Sequence, residues 1–189
     1  MTTQPTHGTT TLTTPRLTLR RYIPADAPIL YKDFGLDPEM SRSSGWNPYA
    51  TPEMAEETVK DIIGSYAEGR SYSWAIEHEG KLIGTVGAYD YDPEVNSAEL
   101  GISIARTCWG QGFAGEVLTA VVRYLTENEG IGRVAAWCAS DNIGSARAME
   151  KAGMKQIRNE KGGLEVGDEV FDKLVYEYRT DVGTGPRDE

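Results

Sequence analysis

Little in this 189-residue sequence offers a metal centre or a disulfide framework, since it holds two cysteines, Cys108 and Cys138, and two histidines, His7 and His78. Two scattered cysteines make neither a zinc pattern nor a set of bridges, so packing is their expected role. No H-E-x-x-H or Cys/His cluster is present, and no metal is expected. Gly101-Ile102-Ser103-Ile104-Ala105 imitates a nucleophile elbow, yet both histidines lie upstream of it and that chemistry takes its base from downstream. Long apolar runs are missing too. The stretch from Leu82 to Tyr89 falls far short of the roughly 18–20 residues of a membrane span. The first fourteen residues carry eight threonines but no basic cluster and no apolar h-region, which leads to a cytoplasmic expectation. Positive charge is in deficit, with 19 basic against 29 acidic side chains and a net charge of −10. A phosphate backbone would be repelled, so neither nucleic acid nor membrane is an expected partner, whereas a cationic one suits the balance.

What is present is an ordinary globular composition, 39% hydrophobic, 25% charged and 9% aromatic, in a length suited to one domain. Residues 1–13 and 181–189 read as flexible tails around one domain spanning 14–180. Leu17 and Leu19 alternate with polar neighbours as a strand, and Asp26 offers an N-cap for a helix through Tyr31. Thr51 and Pro52 open a longer helix that runs to Tyr66 and stops before Gly69. Tyr72 to Ala105 reads as a three-stranded meander. A helix from Gly112 to Asn128, a strand from Val134 to Cys138, a helix from Asn142 to Ala152 and β-rich sequence from Phe171 to Tyr178 follow. Strands that first run as a meander and then alternate with helices predict an α+β fold with a mixed sheet.

Gly110-Gln111-Gly112-Phe113-Ala114-Gly115 satisfies G-x-G-x-x-G after a strand and before a helix. A dinucleotide fold also needs an acidic residue about 20 positions later, and residues 133–138 read Arg-Val-Ala-Ala-Trp-Cys. The ribose ligand is missing. The physics of the loop survives that rejection, because glycines let backbone N–H groups converge and the helix N-terminus adds positive potential, which together favour a diphosphate. A tight turn joining strand to helix is the plain alternative.

A second constellation runs from Asn142 through Ser145, Arg147, Met149 and Lys151 to Gly153. Together with Thr14 to Arg20, Ala98-Glu99-Leu100-Gly101 and Trp109 to Ala114, it resembles the GNAT acyl-CoA-dependent N-acetyltransferases, in particular their RimJ/RimL branch. The likeness covers nearly the whole folded region in the family's order. It implies a central, mostly antiparallel seven-stranded sheet flanked by about four helices. It also implies acetyl-CoA as co-substrate and a primary amine, either a protein N-terminus or a small molecule, as acceptor. A GNAT-like module that binds acyl-CoA without turnover is the alternative, and a monomer and a homodimer are both compatible with the chain.

The resemblance further places the pantetheine arm along the backbone of Ile102 and Ile104, and the diphosphate on Trp109, Gly110, Gln111, Gly112, Phe113, Ala114 and Gly115. Trp109 stands where the family's loop pattern begins with Gln or Arg. Glu99 matches the family's frequent general base, with a solvated strand carboxylate as the other reading. Met149 stands where many members carry the tyrosine that protonates the thiolate, and it has no proton to give. Ser145, whose hydroxyl both donates and accepts, becomes the candidate for the sulfur. Asn142 is better placed to cap the helix, and Arg147 is suited either to a CoA phosphate or to a surface ion pair. Residues 31–50, with Trp46, Asn47 and Tyr49, fall in the interval that resembles the acceptor side.

Overall fold

The structure is a computed structural model that describes residues 7–41, 47–69, 71–166 and 168–180. Eight strands form one sheet: β1 (Leu12–Thr13), β2 (Leu17–Arg20), β3 (Tyr72–His78), β4 (Lys81–Asp92), β5 (Ser97–Ile104), β6 (Arg133–Ala139), β7 (Lys155–Val166) and β8 (Glu169–Arg179). Their spatial order is β1-β2-β3-β4-β5-β6-β8-β7. Every neighbouring pair is antiparallel except β5 and β6, which run parallel because a helix returns the chain between them. Five α-helices occur among the described residues: α1 (Ala27–Leu30), α2 (Pro38–Ser41), α3 (Pro52–Ser65), α4 (Phe113–Glu127) and α5 (Ile143–Lys151). None is long and apolar enough to cross a membrane. The mixed α/β class agrees with the sequence, and the strand beyond the expected seven is the two-residue β1.

The sheet is covered on both faces. On one, Trp74, Ile76, Val86, Leu100, Val134 and Ala136 meet Val117, Leu118, Val121 and Leu125 of α4 and Ala148 and Met149 of α5. On the other, Ala75 and Leu82 meet Tyr22, Leu30, Phe34, Tyr49, Ala55 and Val59 from α1, α3 and the segments beside them. Alternation along the strands assigns the faces. Thr85 pairs with Ser103, Gly87 with Gly101, and Tyr89 with Glu99, and all six share the α1/α3 face with Ala75, the β3 partner of Thr85.

Two expectations need correction. Residues 7–13, read from the sequence as part of a tail, are packed into the domain. Gly8 and Thr9 are buried, the Thr9 hydroxyl donates to Ser71 O at 2.6 Å, and the Trp74 indole donates to Thr10 O at 2.6 Å. Threonine density signalled a polar tail, but these backbone groups and hydroxyls complete hydrogen bonds of β3 that would otherwise lie unpaired. Residues 1–6 and 181–189 lie outside the described residues. Asp26, expected to cap α1, instead turns back to accept from the Ile23 N–H at 2.9 Å and from both ends of the Arg20 guanidinium at 2.8 Å. A bidentate, half-buried arginine outcompetes the helix end for that buried carboxylate.

Candidate active site

The parallel ladder between β5 and β6 is short. Ser97 pairs with Arg133, Ala98 with Val134 and Glu99 with Ala135, and there the pairing stops, although the strands run on to Ile104 and Ala139. Each strand keeps its other neighbour, β5 as far as Ile104 opposite Gly84 and β6 as far as Ala139 opposite Lys173. The two therefore diverge as a wedge whose apex is Glu99, and their inner edges offer backbone donors and acceptors to a guest chain lying between them.

At the open end of the wedge the chain turns into α4. Gly112 is the N-cap residue, at φ 77°, and no side chain caps the helix. A left-handed backbone at this position suits glycine alone at little cost. The first-turn N–H groups stay free for an anion. A Cβ at Gly112 would stand 3.8 Å from Arg16 Nη2 and 3.9 Å from Lys151 Nζ, so two cations flank the turn. The Lys151 stem lies across Gly115, where a Cβ would come within 2.7 Å of its Cδ. Arg16 is already paired. Its Nε donates to Glu116 Oε2 at 2.7 Å, its Nη1 donates to Gln111 O at 3.0 Å, and its guanidinium sits 4.5 Å from the Phe113 ring centre. Burial alone would raise the Glu116 carboxyl, but hydrogen bonds from Thr14 and Arg16 outweigh it and hold the group below its ordinary value. Lys151 has no acidic partner among the described residues. The Trp109 indole donates to Ile104 O at 2.6 Å and so ties the loop to the end of β5.

The donor set, with glycines at positive φ, an uncapped helix end and two cations, matches a phosphate group. The acetyltransferase (GNAT) domain family matches residues 16–155. This chain is a GNAT-family acetyltransferase. It is 33% identical over 147 residues to the uncharacterized N-acetyltransferase YoaA of Bacillus subtilis, covering 77% of this chain and 82% of that one. Its fold matches RimL, a ribosomal L7/L12 alpha-N-protein acetyltransferase solved with coenzyme A, with a TM-score of 0.82 at 19% identity over 92% of this chain and 100% of that one. It also matches the ribosomal-protein-S5-alanine acetyltransferase of Vibrio fischeri, with a TM-score of 0.80 at 16% identity over 92% and 98%.

Within this acetyltransferase, Glu99 is half-buried and accepts a hydrogen bond from the Trp137 indole at 2.8 Å. Tyr89, its partner on β4, lays its ring over Gly87 and Gly101, where a Cβ would meet ring atoms within 2.9 Å. Tyr49 is buried beside Tyr22 and Thr85, and burial pushes its phenol above the ordinary value. Tyr22, buried deeper still, is pushed well above it.

Ser145 belongs to the opposite side of the sheet. Asn142 accepts from the Ser145 backbone N–H at 3.0 Å and thus caps α5, as expected, while the Ser145 hydroxyl has no protein partner among the described residues. Glu99 and the helix that carries Ser145 therefore lie on opposite faces of the sheet. Met149 is 2% exposed and belongs to the core between α4, α5 and the sheet. Arg147 is exposed and unpaired among the described residues.

On the acceptor side, Trp46 lies outside the described residues. Asn47 uses its amide to donate to Gly35 O and to receive the Tyr49 N–H, a staple for its own loop. A cleft of about 420 Å³ between Lys32–Pro38 and Ala105–Thr107 is crossed by an Arg106–Asp37 ion pair at 3.0 Å. Cys138 is buried with its thiol pushed up to about 11, mainly by burial, which suits packing. No site role was read from the sequence for three residues that stand beside Glu99 or Gly112: Trp137, Lys151 and Arg16. Arg16 and Lys151 both lay inside motifs already singled out, Lys151 on the last turn of α5.

Proposed function

We propose that this enzyme moves the acetyl group of acetyl-CoA to a primary amine, with Glu99 as general base at the apex of the β5/β6 wedge. The observation that carries the reading is the wedge itself, a strand pair that parts at a carboxylate and opens toward an uncapped, cation-flanked helix N-terminus. Residues Trp109 to Gly115 with Lys151 hold the diphosphate end, and the inner edge of β5 around Ile102 and Ile104 receives the pantetheine arm. Acetyl-CoA supplies an activated acyl carbon on a thiol leaving group. The backbone N–H groups of β5 face the thioester oxygen and stabilise negative charge there. Glu99 takes the amine proton, directly or through a water, so that a neutral nitrogen attacks. Ser145 donates to the departing sulfur from the other face, a role that Met149 cannot fill.

The acceptor is a primary amine of either kind, a polypeptide N-terminus or a small molecule. RimL, an alpha-N-protein acetyltransferase, and the ribosomal-protein-S5-alanine acetyltransferase share this fold, which supports a protein acceptor, and the net negative charge suits a cationic acceptor of both kinds. Thiol release from acetyl-CoA, followed with a panel of N-terminal peptides and small amines, separates the two. Glu99→Gln is expected to lower kcat by about 10²–10⁴-fold with the best amine of that panel. Wild-type turnover in that variant refutes the base assignment.

A further inference from the structure

We infer that Trp137 is a positioning residue for acetyl transfer, its indole N–H fixing Oε1 of Glu99 so that Oε2 is presented to the amine. The inference rests on the reading of Glu99 as base. Glu99 is the last residue of β5 to pair with β6, and its partner is Ala135. Trp137 lies two residues further along β6, on the same face by strand alternation. Its ring leans back toward the apex and places Nε1 2.8 Å from Glu99 Oε1. This hydrogen bond spans the two strands just where their backbone ladder has ended.

The chemistry of the donor suits the task. An indole N–H donates and never accepts, and it does not titrate at working pH, so it restrains the carboxylate without taking its proton or competing for the amine. One oxygen held and one free also limits the rotation that would otherwise swing both oxygens off line, and a small misplacement of a reacting group is costly in rate. The ring is itself restrained. Lys173, on β8 opposite Ala139, sets Nζ 4.7 Å from the Trp137 ring centre on a strand paired to β6 along its whole length. An ammonium over the ring face is attracted by the indole quadrupole and resists a flip away from Glu99. Residues from three adjacent strands thereby aim one carboxylate.

A double-mutant cycle on the full-length enzyme tests this, with kcat, the KM for acetyl-CoA and thermal melting measured for wild type, Trp137→Phe, Glu99→Ala and the double variant. Trp137→Phe keeps an aromatic body and loses the donor. It should lower kcat by about 10- to 100-fold, the range for losing a hydrogen bond to a charged group, and leave the KM for acetyl-CoA unchanged. In the Glu99→Ala background the same change should have no further effect on kcat. Trp137→Gln, which keeps an N–H donor without the ring, should retain more activity than Trp137→Phe although it packs less well. A packing role gives the reverse order. Full activity in Glu99→Ala refutes the base reading. A large loss in Glu99→Ala combined with wild-type kcat in Trp137→Phe, with independent losses that multiply, or with Phe more active than Gln overturns the positioning role of Trp137 and leaves the base reading standing.

Discussion

The two ends of the wedge are built by different means. In the proposed site the phosphate end offers main-chain N–H groups of one continuous segment, Gly110 to Gly115, arranged by two positive-φ glycines and the start of α4. At the apex they are side chains from separate strands, with Glu99 on β5 and Trp137 on β6 separated by 38 residues of chain and joined by one hydrogen bond. Main-chain recognition tolerates many side chains and fails when a Cβ or a charge enters the turn. Side-chain recognition tolerates backbone variation and fails when one donor is lost. Damage at the phosphate end should therefore appear in affinity, and damage at the apex in turnover.

The largest expected break in that division is Gly112→Asp. It places a Cβ on a backbone at φ 77° and a negative charge at the helix N-terminus, between Arg16 and Lys151. Acetyl-CoA affinity, measured by calorimetry, should fall about a hundredfold as the favourable dipole is lost and a like charge is added. A variant that melts like wild type and binds acetyl-CoA with wild-type affinity would remove this turn from the site.

Ser145→Ala tests the boundary between the two ends, since α5 packs against α4 and carries the hydroxyl proposed to serve the thiolate. Turnover should fall about tenfold with little change in acetyl-CoA affinity, because the hydrogen bond strengthens as charge develops on sulfur. Equal kcat in both proteins would leave Ser145 as the first-turn residue that Asn142 caps. Restoring the family's phenol with Met149→Tyr looks complementary on sequence grounds, but Met149 is fully enclosed in the core. The larger ring should cost about 1–3 kcal/mol of stability through overpacking, and a melting curve as high as wild type's would show that α5 gives way to admit it.

What could be read from the sequence follows the same division. The phosphate end is local, so its glycines, the helix that follows and the Asn142 cap were visible as short-range patterns. The caps of α3 and α5 formed as expected, with Thr51 accepting from Met54 N–H and Asn142 from Ser145 N–H. Glu99 was visible as a candidate, but its surroundings were not, because aiming it depends on the β5/β6 register and on where the ladder stops, which no local pattern encodes. Asp26 misled for a similar reason. A carboxylate ahead of a helix looks like a cap until the arginine six residues earlier folds back onto it. The packing of Gly8, Thr9 and Thr10 against β3 was hidden by threonine-rich composition, since hydroxyls that complete a sheet look in sequence like those of a solvated tail.

A smaller effect sharpens the phosphate end. Lys151→Met keeps the stem that crosses Gly115 and deletes only the ammonium near Gly112. Acetyl-CoA should bind about two- to fivefold more weakly, as expected for a solvent-screened charge pair, and its affinity should depend less on salt. An unchanged salt dependence would mean that Lys151 serves packing alone.

The smallest effect concerns Glu116, which joins the β2 segment to the first turn of α4 through Thr14 and Arg16. Its carboxyl is held below the ordinary value of 4.5 in the folded protein, so folding favours the ionised form. That contribution is fully present above the unfolded value and is lost as pH falls through the lower folded one. Glu116→Gln does not titrate, so the stability gap between wild type and variant should be constant near neutrality and close below about pH 4.5, with a size of about 1 kcal/mol or less. Urea midpoints taken from pH 7 to pH 3 measure it, and a gap that stays constant across that range would show that the ion pair adds nothing to folding. The same variant carries an opposite expectation for binding. Removing the carboxylate frees Arg16 and leaves the α4 N-terminus more positive, so acetyl-CoA affinity should rise slightly at neutral pH while stability falls. Affinity and stability falling together would place Glu116 among the residues that shape the turn.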